Sequence, residues 1–210
     1  MKRQTLSMLL LAAIIPAILL VGCSAKPTET FSKPKVLVFV RDGSNYTEYM
    51  LTHEVGVILS MLEEAGILAV VATQSEDSYQ GSEPPLKSDI LLQDVNVDDY
   101  DGFLLPCMAA GNPGHIEDDA IAMVAEAASQ NKPVAAQFGS VPTLAEAGLL
   151  DGKQYAYTRD AFPNGIYDGT GVVQDGNVIT SGTCSQAARY YGRPDGTPVL
   201  TQLLIDAVAP

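Results

Sequence analysis

From Lys35 onward, apolar residues arrive in two alternating rhythms. Lys35-Val36-Leu37-Val38-Phe39-Val40 is a near-continuous apolar run, the pattern of a strand covered on both faces of a parallel sheet. After the turn Arg41-Asp42-Gly43-Ser44, the residues Tyr46, Met50, Ile58, Met61, Leu62 and Ala65 recur at helical spacing, and Gly66 suits the helix end. Asn45, with Glu48 three residues on, has the N-cap and N3 spacing of a helix start. Ile67 to Ala72 predicts a second strand, and Ile90-Leu91-Leu92 a short edge strand beyond the turn-rich stretch Gln80 to Pro85. Tyr100 to Pro106 predicts another buried strand. Ile116 to Ser129 then predicts a helix with Ile121, Val124, Ala125 and Ala128 on its apolar face and Asp118-Asp119 complementing its dipole. Val134 to Phe138 reads as a strand that breaks at Gly139-Ser140 into a helix carrying Pro142 in its first turn. Gly171 to Thr180 has a hairpin pattern turning at Gln174-Asp175-Gly176-Asn177, and Thr197 to Val208 closes the chain as an amphipathic helix. This alternation predicts a single α/β domain: a doubly wound, mostly parallel sheet with helices on both faces and right-handed crossovers. Such sheets hold ligands at the C-terminal edge of the strands, where the Gly139-Ser140 turn falls.

The chain before this pattern is of a different kind. Lys2 and Arg3 form a positive start, Leu6 to Leu20 an apolar run interrupted by Pro16, and Leu20-Val21-Gly22-Cys23 matches a bacterial lipobox. The expectation is a lipoprotein signal peptide over 1–22, acylation (palmitate among the chains) of Cys23, a polar proline-containing tether over 23–34, and a domain over 35–210. The domain would then sit in the cell envelope, held to the membrane through the lipid on Cys23 and facing the extracytoplasmic side. Removing Lys2 and Arg3 with the leader leaves ten basic against twenty-five acidic residues, a net charge of −15. That balance argues against nucleic acid and against adhesion to anionic lipid by charge. Asp98-Asp99 and Asp118-Asp119 lack the spacing of a calcium loop, and Gly111-Asn112-Pro113-Gly114 lacks the lysine of a phosphate loop. Two histidines, His53 and His115, make a poor metal set, so neither metal nor cofactor is expected.

The stretch Lys132-Pro133-Val134-Ala135-Ala136-Gln137-Phe138-Gly139-Ser140-Val141-Pro142-Thr143-Leu144, continued through Ala147-Gly148-Leu149-Leu150-Asp151-Gly152-Lys153, resembles the nucleophile elbow of the ThiJ/PfpI family, a branch of the class I glutamine amidotransferase-like superfamily. The order of elements, including Asp175-Gly176-Asn177-Val178-Ile179-Thr180-Ser181 before the last helix, extends the resemblance from Lys35 almost to the end. It implies a flavodoxin-like fold and, since family members are often homodimers, self-association. In the family the elbow bears a nucleophilic cysteine; here that position holds Phe138, and a phenyl ring cannot attack a carbonyl. A family glutamate in the first helix maps, counting back from Gly66, onto Glu54, with Glu48 as the alternative. The family's glycine pair after the third strand, an oxyanion hole, corresponds to Leu105 to Gly114, where the tight pair is absent. That mapping places Cys107 at the rim, and Cys184, after Ser181-Gly182-Thr183, at the end of a neighbouring strand. The family histidine would fall at Gly139 or between Tyr155 and Thr158, and no histidine stands there.

Read on their own terms, these residues keep several roles open. Glu54 shares a helix quadrant with Val57, Ile58 and Met61, so its carboxylate would be half-buried, with a raised pKa. Phe138 suits a packed pocket floor. Ser140 could act as nucleophile only if the elbow shifted by two residues beside a base. Cys107 and Cys184 form a disulfide, a pair of buried thiols, or a nucleophile and a bystander; no basic residue adjoins either. The leading expectation is a pseudoenzyme: an accessory module binding a small molecule in a pocket lined by Glu54, Cys107, Phe138, Gly139, Ser140 and Cys184. The alternative is a hydrolase or lyase (glyoxalase-, deglycase- or amidase-like) using Cys107 or Cys184 with Glu54 as proton shuttle. A third reading is a scaffold for another envelope protein.

Overall fold

The alternation of side chains along β1 (Lys35–Phe39) divides the interior in two. Val36, Val38 and the following Val40 point to one face of the sheet, and Leu37 and Phe39 to the other, all of them buried. The structure is a computed structural model that describes residues 32–209 except 43, 45, 78 and 109–117. The expected leader, Cys23, most of the tether, Asn45 and His115 therefore lie outside the described residues. Ser32–Pro210 forms one compact unit.

In chain order, β1 is followed by α1 (Thr47–Met50), a π turn (Leu51–Val55) and α2 (Gly56–Glu64), then β2 (Leu68–Thr73), the short β3 (Ile90–Leu91) and β4 (Gly102–Leu105). Next come α3 (Asp118–Ser129), β5 (Val134–Gln137), a 3-10 turn (Phe138–Ser140) and α4 (Val141–Glu146) with Pro142 in its first turn. The chain ends with β6 (Gln154–Tyr155), β7 (Ile166–Tyr167), the hairpin β8 (Val172–Asp175) and β9 (Val178–Ser181), α5 (Ser185–Tyr191) and α6 (Thr197–Val208). The main sheet runs β3-β2-β1-β4-β5-β9-β8, parallel throughout except for the antiparallel β8–β9 edge. This is the doubly wound sheet expected from the sequence. One face packs on α2 and α6 through Ile58, Leu62, Leu200 and Leu204; the other on α3 and α4 through Met123, Val124 and Leu144.

Four local expectations are corrected. The first helix is not continuous: the Gly56 N–H bonds the Leu51 carbonyl, five residues back, and opens a wide turn. A Cβ at position 56 would sit 3.0 Å from that carbonyl, so glycine leaves the turn room. Its N-cap residue is Tyr46 and no side chain caps it. On α3 the buried face is Ala120, Met123, Val124 and Ala127, rotated from the expected one. In a helix this rich in alanine, small apolar side chains on several faces leave the phase to the larger Met123 and Val124. Finally, β5 ends one residue early, at Gln137. The pair β6–β7, a separate two-stranded sheet, and α5 carry patterns too short to read.

Gly182, just past β9, is where the β6–β7 arm meets the main sheet. A Cβ there would lie 2.6 Å from the Tyr157 carbonyl oxygen and 2.7 Å from Thr170 Cα, both backbone atoms with no rotamer to change. Gly182→Ala is therefore expected to lower stability by about 1–3 kcal/mol or more, as overpacking does. Thermal unfolding checks this: an unchanged midpoint would show that the arm is not pressed against β9.

Candidate functional site

Three elements deliver one side chain each to a single point at the C-terminal edge of the sheet. The π turn brings Glu54 inward, fully buried. Cys107 lies two residues past β4, and Cys184 is the N-cap residue of α5, three residues past β9. Both cysteines are buried, and they are thiols rather than a disulfide. The Cys107 backbone N–H donates to Glu54 Oε1, joining the helix to the end of β4. A carboxylate oxygen of Glu54 and the two Sγ atoms all lie within 4.8 Å of one another. The sequence had assigned Glu54, Cys107 and Cys184 to one rim, and they do meet. Glu48, the alternative, is exposed.

Electrostatics make the cluster a reservoir of protons. Burial pushes the Glu54 carboxyl well above the usual carboxylate range; the nearby Cys107 and Asp195 add to this, while the Cys107 N–H and the Ser185 hydroxyl oppose it. Ser185 Oγ itself turns to Met50 Sδ, at 3.9 Å, and Glu54 Oε2 is left buried without a hydrogen-bond partner. The Cys184 thiol is also pushed up, by its hydrogen bond with Cys107 and by burial. A thiol so raised and so buried is a poor nucleophile at neutral pH.

Beside the cluster stands the elbow. Phe138 has φ of +37°, and left-handed backbone costs a bulky residue about 1–2 kcal/mol. The left-handed residue of the turn is Phe138, directly after β5, where the strand gives way to the helix. The turn is held by the Ser140 hydroxyl, which donates to the Pro106 carbonyl, and by Arg41 Nη2, which reaches the Gly139 carbonyl at 3.5 Å. Ser140 is buried and committed to that bond, so the shifted-elbow nucleophile is not formed.

The Phe138 ring is half-buried against the core that holds both cysteines, and faces the Tyr157 ring at 6.1 Å. The Tyr157 hydroxyl is raised above its ordinary value, chiefly by burial, with Arg159 opposing and Cys107 adding. Tyr157 lies within the stretch where the histidine was sought. A phenol in that stretch carries no family signature, so nothing in the sequence singles Tyr157 out.

His53 is exposed and stacks on Tyr49, with ring centres 4.4 Å apart, away from the cluster. Glu54, Cys107 and Cys184 are all buried, and Phe138 packs against the same core. A cleft of about 750 Å³ opens elsewhere, lined by Tyr79, Leu86, Lys87, Asp89 and Ile90 among others, and none of the cluster residues borders it. A carboxylate and two thiols, side chains of kinds that can ligate a metal, are gathered in the cluster.

A doubly wound sheet, a strained strand-to-helix elbow and a buried helix glutamate together make a flavodoxin-like α/β domain with its site at the strand ends. Residues 34–191 match the DJ-1/PfpI family, and the chain belongs to that family. It is 30% identical over 129 residues to an uncharacterized protein of Archaeoglobus fulgidus, covering 59% of this chain and 77% of that one. Among solved structures it is similar to oxidized Toxoplasma gondii DJ-1, with a TM-score of 0.56 and 27% identity, covering 81% of this chain and 98% of that one. It also resembles a two-domain protein of Anabaena variabilis with DJ-1/ThiJ/PfpI-like and ferritin-like domains: TM-score 0.59, 22% identity, 84% of this chain covered. This chain spans 55% of that protein's length.

The raised Glu54 pKa sets a sign for pH dependence. The folded protein keeps a proton on Glu54 that the unfolded chain gives up above about pH 4.5. Stability from this group is therefore full at low pH and is lost as pH climbs from the unfolded value through the raised folded one. In metal-free protein, Glu54→Gln removes this dependence, so relative to wild type its stability should improve with pH by up to about 1.4 kcal/mol per unit. Denaturant midpoints across pH 5 to 8 (roughly the range in which carboxylates otherwise stay ionised) test it; parallel curves would mean that Glu54 ionises as readily folded as unfolded.

Proposed function

We propose that this chain is a lipid-anchored, extracytoplasmic DJ-1/PfpI-like module that binds a ligand reversibly and does not turn it over. The observation that carries the non-catalytic part is Phe138 in the left-handed elbow position, where an attacking group would have to stand. Three further features support it. The two remaining thiols are buried, Ser140 is tied to Pro106, and an aromatic pair, Phe138 with Tyr157, occupies the ground that a nucleophile and its base would share. The anchoring part rests on the charged start, the short apolar run and the lipobox ending at Cys23.

One observation favours a second reading. Glu54 within reach of two thiols is a carboxyl that can shuttle a proton beside candidate nucleophiles, as a hydrolase or lyase using Cys107 or Cys184 would need.

Alkylation separates the two. In the acylated full-length protein Cys23 is blocked, so the iodoacetamide-reactive thiols are Cys107 and Cys184. Binding without turnover predicts that neither is labelled at neutral pH in the native protein and both are labelled on unfolding under reductant. Rapid labelling of either well below about pH 8.5, together with turnover of a small aldehyde, amide or ester that Glu54→Ala abolishes, would replace this reading with the enzymatic one. For the anchor, Cys23→Ser is expected to abolish incorporation of labelled palmitate and to leave the leader uncleaved by mass; continued labelling would place the lipid elsewhere.

A further inference from the structure

Glu54, Cys107 and Cys184 are buried, and their donor atoms lie within 4.8 Å of one another, close enough to converge on a single ion. The donors have the right character for one class of ion. Two thiols and one carboxylate fall far short of the six or more oxygens that calcium demands, and thiolate sulfur selects borderline-soft or soft metals. The thioethers of Met50 and Met108 lie in the same buried core. Charge then narrows the choice: with two thiolates and a carboxylate as ligands, a divalent ion leaves one net negative charge in the interior and a monovalent ion leaves two, and buried unpaired charge is costly.

Geometry agrees with this. A tetrahedral zinc with bonds of about 2.3 Å to sulfur holds its sulfurs about 3.8 Å apart, and here the three donor atoms already lie within 4.8 Å of one another. Small side-chain rotations close the difference. Glu54 is also oriented as a ligand is: its Oε1 accepts from the Cys107 N–H, which fixes the plane of the carboxyl, while Oε2 is buried with no partner.

We propose that Glu54, Cys107 and Cys184 form a binding site for a divalent, thiophilic metal ion of the zinc class, with three protein ligands and one coordination position open. Loading exchanges the protons on the two thiols and the carboxyl for the ion and releases them to solvent; no oxidation is involved. The proposal rests on the reading that this cluster binds rather than reacts.

The test uses full-length protein in detergent carrying Cys23→Ser, reduced with a phosphine and stripped with chelator. Co2+ is added first, then Zn2+ in competition with a chromophoric chelator. The expected result is one equivalent bound, with a near-ultraviolet thiolate-to-cobalt charge-transfer band that Zn2+ abolishes. Cys107→Ser and Cys184→Ser should each weaken binding by at least about 100-fold, and Glu54→Gln by about 10-fold or more. The band on the parent protein reports thiolate ligation without any core substitution, so a variant that fails to fold does not decide the outcome. No stoichiometric uptake, uptake without the band, or a band unchanged in both folded cysteine variants would overturn the site. Turnover by the metal-free protein would instead overturn the binding reading on which it rests, whatever the ion titration shows.

Discussion

The bond from the Cys107 N–H to the Glu54 carboxyl is the joint of the molecule. A carboxyl group at zero exposure is tolerable only if it keeps its proton or is met by donors, and here both occur in part. Meeting it requires the helix after β1 to deliver an acid toward the sheet rather than toward water. The π turn does this by adding a residue to one turn, which carries Met50, Leu51, Glu54 and Val55 inward together. The end of β4 must in turn present a free N–H at the same depth. Helix phase, strand length and the placement of Cys107 are therefore settled together, and the position of Cys184 at the start of α5 completes the arrangement.

Beside this joint lies a run of packed aromatic rings. The β6–β7 arm supplies most of it. Tyr157 lies with ring centres 6.1 Å from Phe138 and 5.0 Å from Phe162, and Tyr155 packs in turn on Phe162 at 5.2 Å and Tyr167 at 5.7 Å. The Tyr155 hydroxyl donates to Asp160 and accepts from the Ala161 and Phe162 N–H groups, fixing the loop between the two short strands. A two-residue strand pair has little stability of its own. These rings and bonds give the arm its order.

The larger features were legible because they repeat. α6 carries a pattern long enough to fix period and both ends, β1, β5 and the β8–β9 hairpin patterns that fix period and place but not the last residue, and their alternation specifies the sheet. Glu54 and Cys107 could be assigned to the site through the family resemblance, and Cys184 because it follows a strand expected to end at the same rim. What escaped was set by tertiary contact. The π turn depends on Leu51 and Gly56 in a stretch whose sequence reads as ordinary helix. The phase of α3 is blurred by its alanines. Tyr157 reaches the site on an arm with no periodicity to announce it, and the proximity of donors from three distant segments is invisible to spacing along the chain.

The φ of +37° at Phe138 was described above as strain. Seen from the backbone, it means that the conformation at this position belongs to the scaffold and not to the side chain, since phenylalanine gains nothing from it. The geometry that would aim a reactive group is thus retained under a residue that cannot use it. Position 138 is thus a socket: a backbone shape fixed by the strand-to-helix crossover, into which the sequence can set one side chain or another without redrawing the turn.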